Sequence, residues 1–139
     1  MKPIEFETRG IPTAKGRPRV MKSGFTYTPK KTKVAEESFL VQALNYKPER
    51  PIDQPIKIEM EFYFPIPKGT SKKKRETLKW YDKRPDIDNL GKLCMDALDG
   101  IFYLDDKQIT DLNLKKYHTE DYPKTIVKIE LLQNDDNNS

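Results

Sequence analysis

The chain has 139 residues, enough for one hydrophobic core and short for two, so a single domain is expected over residues 1–132. Hydrophobic and charged residues each make up 35%, which implies a modest core under a strongly charged surface, and the formal net charge of +4 favours polyanionic partners. A single cysteine, Cys94, excludes an internal disulfide or a thiolate metal site, and a single histidine, His118, excludes histidine-rich zinc sites. No apolar run approaches the ~20 residues of a membrane span, and the N-terminal residues lack a signal-peptide core, so a reducing, cytoplasmic setting is expected. No Gly-x-x-x-x-Gly-Lys loop occurs, so no nucleotide cofactor is expected.

Ile4 to Thr8 alternates and predicts a short strand. Between Thr8 and Ala35 there is no acidic residue, and glycines and prolines break the segment into loop or hairpin. Thr32 to about Tyr46 predicts a helix with an uneven apolar stripe that includes Val34, Phe39, Val41 and Leu44. Pro48, Pro51 and Pro55 exclude helix beyond it. Ile56 to Phe64 is the clearest strand, with Ile56, Ile58, Met60, Phe62 and Phe64 on one face.

Ser71 is a cap for a short helix to about Lys79, and Asp88 or Asn89 for the next one. Leu90, Leu93, Cys94, Ala97 and Leu98 form that second helix's apolar face, and Gly100 stops it. Two strands, Gln108 to Tyr117 and Thr125 to Leu132, close the domain as antiparallel sequence neighbours. The expected fold class is α+β, a mixed β-sheet with helices packed on it. Residues 133–139 contain no apolar side chain and are expected to form a disordered polar tail; without its two aspartates the formal +4 becomes +6.

In this basic chain, Arg84-Pro85-Asp86-Ile87-Asp88-Asn89-Leu90-Gly91-Lys92 places two carboxylates at a helix start, and Asp105-Asp106 follows the helix. Mg²⁺ prefers carboxylate oxygens and keeps several waters, so such acids can hold it, and a helix N-terminus beside them suits a phosphate. Lys92 emerges one turn after Asp88 and can meet developing negative charge. Capping alone would account for Asp88 in isolation, with Lys92 as its solvated partner. An EF-hand is excluded, since Leu90 and Ala97 stand where oxygen ligands are needed. His118 reads as a surface residue near a strand end, and Cys94 as core.

These residues resemble the RusA family of Holliday junction resolvases. The resemblance is carried by Arg-Pro-Asp-Ile-Asp-Asn-Leu-x-Lys, by Asp96-Ala97-Leu98 and by Leu104-Asp105-Asp106-Lys107-Gln108-Ile109, and more loosely by Gly16-Arg17-Pro18-Arg19 and Thr28-Pro29-Lys30. It implies a RusA-like fold and a homodimer that cuts four-way DNA with Mg²⁺ or Mn²⁺ in recombination and repair, with prophage origin common. It places metal-binding aspartates at Asp86, Asp88 and Asp106 and an important lysine at Lys92. Asp105 matches the adjacent family aspartate, which either ligates or shapes the turn. Gly91 departs from the pattern, standing where a larger residue is usual, and the Gly100–Phe102 loop is short.

The mechanism so implied is metal-assisted phosphodiester hydrolysis leaving a 5′ phosphate, with two subunits cutting opposing strands. Arg17, Arg19, Lys30 and Lys31 form one DNA-binding group. Lys72, Lys73, Lys74 and Arg75, with Lys68, form another, ahead of a Trp80-Tyr81 pair able to stack on an opened base. Two rival readings remain at this level. A non-catalytic DNA-binding module explains the basic surface but leaves the aspartates without a role. A nuclease preferring flaps or single strands would use the same site.

Overall fold

The computed structural model describes residues 1–17 and 19–133; the expected tail lies outside the described residues from 134 onward. In chain order the elements are β1 (Ile4–Arg9), β2 (Arg19–Val20), β3 (Thr26–Tyr27), α1 (Lys30–Ala43), β4 (Ile56–Pro65), α2 (Lys72–Arg75), α3 (Ile87–Leu98), β5 (Ile109–Thr119) and β6 (Lys124–Leu131). A mixed four-stranded sheet runs β1-β6-β4-β5, and β2-β3 is a separate small hairpin.

Strand β4 follows the expected alternation: Ile56, Ile58, Met60, Phe62 and Phe64 are all buried. They meet Leu90, Leu93, Cys94, Ala97 and Leu98 of α3, Phe39 and Ala43 of α1, and Phe6, Phe102 and Tyr103 in one core. Each fully buried large apolar side chain contributes ~1.5–3 kcal/mol, so this single face holds most of the fold's hydrophobic stabilisation.

The last two strands are not hydrogen-bonded neighbours, contrary to expectation. Strand β6 lies between β1 and β4, antiparallel to both, while β5 pairs in parallel with β4 on its other side. A parallel pair needs a long crossover, and α3 lies on the one between β4 and β5. Thr125, Val127 and Ile129 are buried, as suits a central strand, whereas β5 is polar and has no buried residue, as suits an edge. The outer face of the sheet carries a stack of Trp80, Tyr117 and Tyr63, with ring centroids 4.9 and 5.2 Å apart.

Helix α1 begins at Lys30, two residues earlier than expected, and buries a different stripe. Thr32, Phe39 and Ala43 face inward, while Val34, Val41 and Leu44 are exposed. Phe39 sits 6.2 Å from Phe6, and one large ring seated in the core fixes the helix's rotation against three smaller exposed residues. The Thr32 hydroxyl turns inward to accept the Gly16 N–H at 3.0 Å, tying the basic segment to α1.

Helix α2 is capped by Ser71, whose hydroxyl accepts the Lys74 N–H at 3.2 Å. It stops at Arg75 rather than near Lys79. The chain is instead captured by the edge of β5: Tyr81 N–H donates to Lys116 O at 3.1 Å and His118 N–H to Lys79 O at 2.7 Å. His118 is therefore half-buried, edge-on to Tyr81 at 5.1 Å, rather than a surface residue.

Gly91 is buried in α3 because a Cβ there would stand 2.7 Å from Leu114 Cδ1 of β5. The glycine costs the helix about 1 kcal/mol of propensity relative to alanine but lets α3 approach the sheet closely. Gly91→Ala should therefore stabilise a Leu114→Ala background by about 1 kcal/mol, the propensity gain, and should gain less in the parent chain, where the new Cβ meets Leu114. Thermal denaturation of the four-member cycle measures this, and strict additivity would contradict the packing argument.

Candidate nuclease site

Asp86, not Asp88 or Asn89, occupies the N-cap of α3, in extended backbone. Its side chain makes no capping bond, and Asp88 lies in the first helical turn. Both carboxylates are exposed, and among the described residues neither forms a salt bridge or side-chain hydrogen bond. They share a shallow pocket of about 510 Å³ with Trp80, Tyr81, Ile87, Leu114, Lys115 and Lys116. Two open carboxylates at a positive helix end fit a hard cation that keeps most of its water and takes further oxygens from a phosphate.

Asp106 stands elsewhere. The twelve residues of α3 span roughly 18 Å, with Asp86 and Asp88 at the start. Asp106 lies just beyond the far end, where its charge neighbours are Asp105, Asp99 and Asp96. Strand β5 gives the same picture: from Ile109, beside Asp106, to Lys115 in the Asp86 pocket is about 20 Å of strand. Among the described residues no three acidic, histidine or cysteine side chains gather to hold a metal. Within one chain the three expected aspartates therefore do not come together, because the packed helix holds the two ends apart.

The turn around Asp106 is well built. Asp105 Oδ1 accepts the Lys107 N–H at 2.9 Å, and the Gln108 side chain closes the capping box onto Asp105 N–H at 2.8 Å. Gln108 Nε2 also donates to Ile52 O at 2.7 Å and Gln54 O at 3.0 Å, anchoring the turn to the body. The Lys107 N–H holds the Asp105 carboxyl below its usual range, while Asp105, through a hydrogen bond and its charge, pushes the exposed Asp106 carboxyl above it.

Lys92 is exposed and reaches forward to Asp96 at 3.8 Å, rather than back to Asp88. Asp96 also takes Lys15 at 3.3 Å, and Lys15 pairs with Glu36 of α1. Burial pulls the Lys15 ammonium down, but Glu36 and Asp96 outweigh it and hold its pKa above the usual range. Lys15 N–H also donates to Asn89 O at 2.9 Å, so the basic segment is tied to the first turn of α3.

Of the expected DNA-binding residues, Arg17 and Lys31 line a cleft of about 770 Å³ with Arg84 and Pro85, next to Asp86. Lys30 and Lys31 lie on the rim of a second cleft of about 570 Å³ between α1 and the β1 end. Arg19 is in β2. Lys72, Lys73 and Lys74 are exposed on α2, and Arg75 is half-buried, donating from Nε to Thr70 O at 3.1 Å. Trp80 is exposed and stacked on Tyr117, whereas Tyr81 is packed on Phe64 at 4.0 Å. Lys15 and Lys116 were given no role from the sequence, and Arg84 entered there only as the first residue of the acidic motif. For Lys116 a signal existed, since it places a charge two residues after Leu114, on the strand face that stands beside Met60 and Phe62.

A family model for the endodeoxyribonuclease RusA matches residues 9–130. The chain is 35% identical over 135 residues to the uncharacterized protein YqaN of Bacillus subtilis (strain 168), covering 91% of this chain and 94% of that protein. It is 29% identical over 134 residues to the crossover junction endodeoxyribonuclease rusA of Lactococcus phage r1t, covering 94% and 96% respectively. The family match defines the class as an endodeoxyribonuclease. The chain belongs to the RusA family of endodeoxyribonucleases, phosphodiester hydrolases that depend on divalent metal.

Because Asp105 raises the Asp106 carboxyl, Asp105→Asn should shift the Asp106 titration to lower pH. Carboxyl-carbon NMR through the acid range measures it, and an unmoved midpoint would contradict the described coupling.

Proposed function

We propose that the chain is a Mg²⁺-dependent, structure-specific endonuclease that resolves four-way DNA junctions as a homodimer in recombination and repair, with Mn²⁺ as a substitute. The observation carrying this reading is the open Asp86–Asp88 pair at the N-terminus of α3, bordered by the cleft of Arg17, Lys31 and Arg84 in a RusA-family chain. Acids repel DNA unless a cation lies between them, so this pair in a basic surface fits catalysis better than passive binding. Similarity to a phage protein supports a prophage origin.

Asp86 and Asp88 would hold the cation, which when bound supplies Lewis-acid charge for hydrolysis of the phosphodiester. The helix end adds N–H groups facing the same phosphate. Lys92, one turn along α3, offers an ammonium to the charge that develops on the transferring phosphate. Its bond to Asp96 is long and exposed, so phosphate can take it readily. Arg17, Lys30 and Lys31 grip the DNA backbone, and Lys72, Lys73, Lys74 and Arg75 give it a second hold.

The far position of Asp106 supports a dimeric arrangement. Asp106 can join Asp86 and Asp88 only if it comes from another chain, so a composite site made with the partner subunit's Asp106 reconciles the three aspartates with the geometry. A two-fold dimer makes two such sites, which suits paired cuts on opposing strands. Asp105, engaged in its capping box, shapes the turn that presents Asp106.

Cleavage of a synthetic four-way junction, compared with linear duplex, flaps and single strands, separates junction resolution from the rival readings. The junction should be cut first and only with metal. Asp88→Asn should lower that cleavage by roughly a hundredfold or more while leaving junction binding intact. Unchanged turnover in this variant would defeat the assignment.

A further inference from the structure

Lys116 is an inward-facing charge in a strand whose alternation calls for an apolar residue. It pairs with Phe62 in the β4–β5 ladder, two residues after Leu114, and is half-buried. Its ammonium donates to Lys83 O at 2.5 Å and to Pro85 O at 2.6 Å, and sits 5.3 Å from the centre of the Tyr81 ring. A half-buried ammonium is costly unless its donors are taken, and two carbonyls and an aromatic face take them here.

These bonds lie in an otherwise unsupported stretch. The chain is fastened at Tyr81 by its bond to Lys116 O, and again at Asp86, whose carbonyl accepts the Leu90 N–H at 3.2 Å. Among the described residues, no other hydrogen bond reaches positions 82 to 85. Lys116 therefore spans the gap from the sheet edge to the residue immediately before Asp86, and lines the pocket that holds Asp86 and Asp88.

We infer that Lys116 is a positioning residue, which braces the Lys83–Pro85 loop and so fixes Asp86 and Asp88 in the geometry that captures the cation. Its ammonium is committed to main-chain carbonyls, so it acts through those carboxylates rather than on the phosphate. A brace of this kind lets the pair stay exposed and unpaired without losing its orientation. The inference rests on the reading of Asp86 and Asp88 as the cation-holding pair.

The test uses the full-length protein with Lys116→Met, which keeps the stem and removes the donors, and Lys116→Arg, which restores them. Mn²⁺ affinity is measured directly by electron paramagnetic resonance, amide hydrogen exchange by mass spectrometry, and four-way junction affinity in EDTA. Lys116→Met should weaken Mn²⁺ binding roughly tenfold or more, as loss of a group orienting a metal ligand does. Exchange should quicken around residues 82–90 alone, metal-free junction affinity should stay within about twofold, since phosphate contacts lie elsewhere, and arginine should recover most of the loss.

Parent-level Mn²⁺ affinity and exchange in Lys116→Met would overturn the inference, as would faster exchange spread over the whole fold. If Lys116→Met does not fold, Lys116→Leu, which also carries no donor, is read in the same way. A parent-like Lys116→Met beside an inactive Asp88→Asn removes only the brace, whereas full Mn²⁺ binding and cleavage by Asp88→Asn removes the reading beneath it.

Discussion

Helix α3 is seated in the core beside β4, and close enough to β5 at Gly91 that a Cβ would meet Leu114; the placement of the acidic groups at its two ends follows from that packing. Leu90, Leu93, Cys94, Ala97 and Leu98 bury the helix along its length, so its two ends cannot move toward one another. One end carries Asp86 and Asp88, the other leads into the Asp105-Asp106 turn. A rigid spacer of roughly 18 Å then separates the aspartates that the family pattern names together. In the composite site proposed above, the catalytic chemistry is completed by assembly rather than by folding.

Charge is arranged around this spacer in layers. Asp86 and Asp88 stay open, bordered by Arg17, Lys31 and Arg84 on one side and by Lys115 and Lys116 on the other. At the far end Asp96 collects Lys15 and Lys92, while Asp105 and Asp106 repel one another. The exposed Lys92–Asp96 pair adds little stability, about 0–1 kcal/mol, so its value lies in where it holds a side chain. Lys15 ties α1 and the basic segment to α3, and Lys116 ties the loop before Asp86 to the sheet.

Much of this was legible in the sequence because period and punctuation are local. The alternation of β4, the apolar face of α3, the Ser71 cap and the core position of Cys94 all rest on residues within one element. What stayed hidden depends on contacts between elements. The insertion of β6 between β1 and β4 shows only in the structure, through its pairing and deeper burial, and the rotation of α1 turns on one ring, Phe39. The family pattern names Asp106 beside Asp86 and Asp88, yet nothing in the spacing says on which side of a packed helix it falls. Lys116 bonds to main-chain carbonyls, and its one trace in the sequence is a charge in an alternating strand.

Subunit mixing tests the central claim most directly. Asp88→Asn and Asp106→Asn chains, each inactive alone, are refolded together and given a four-way junction with Mg²⁺. If the site is built between chains, each mixed dimer regains one intact site, from the Asp106 of one chain and the Asp86–Asp88 pair of the other. It should then nick one strand. If each chain carries its own complete site, every dimer in the mixture has two broken sites, and the absence of any nick would contradict the account.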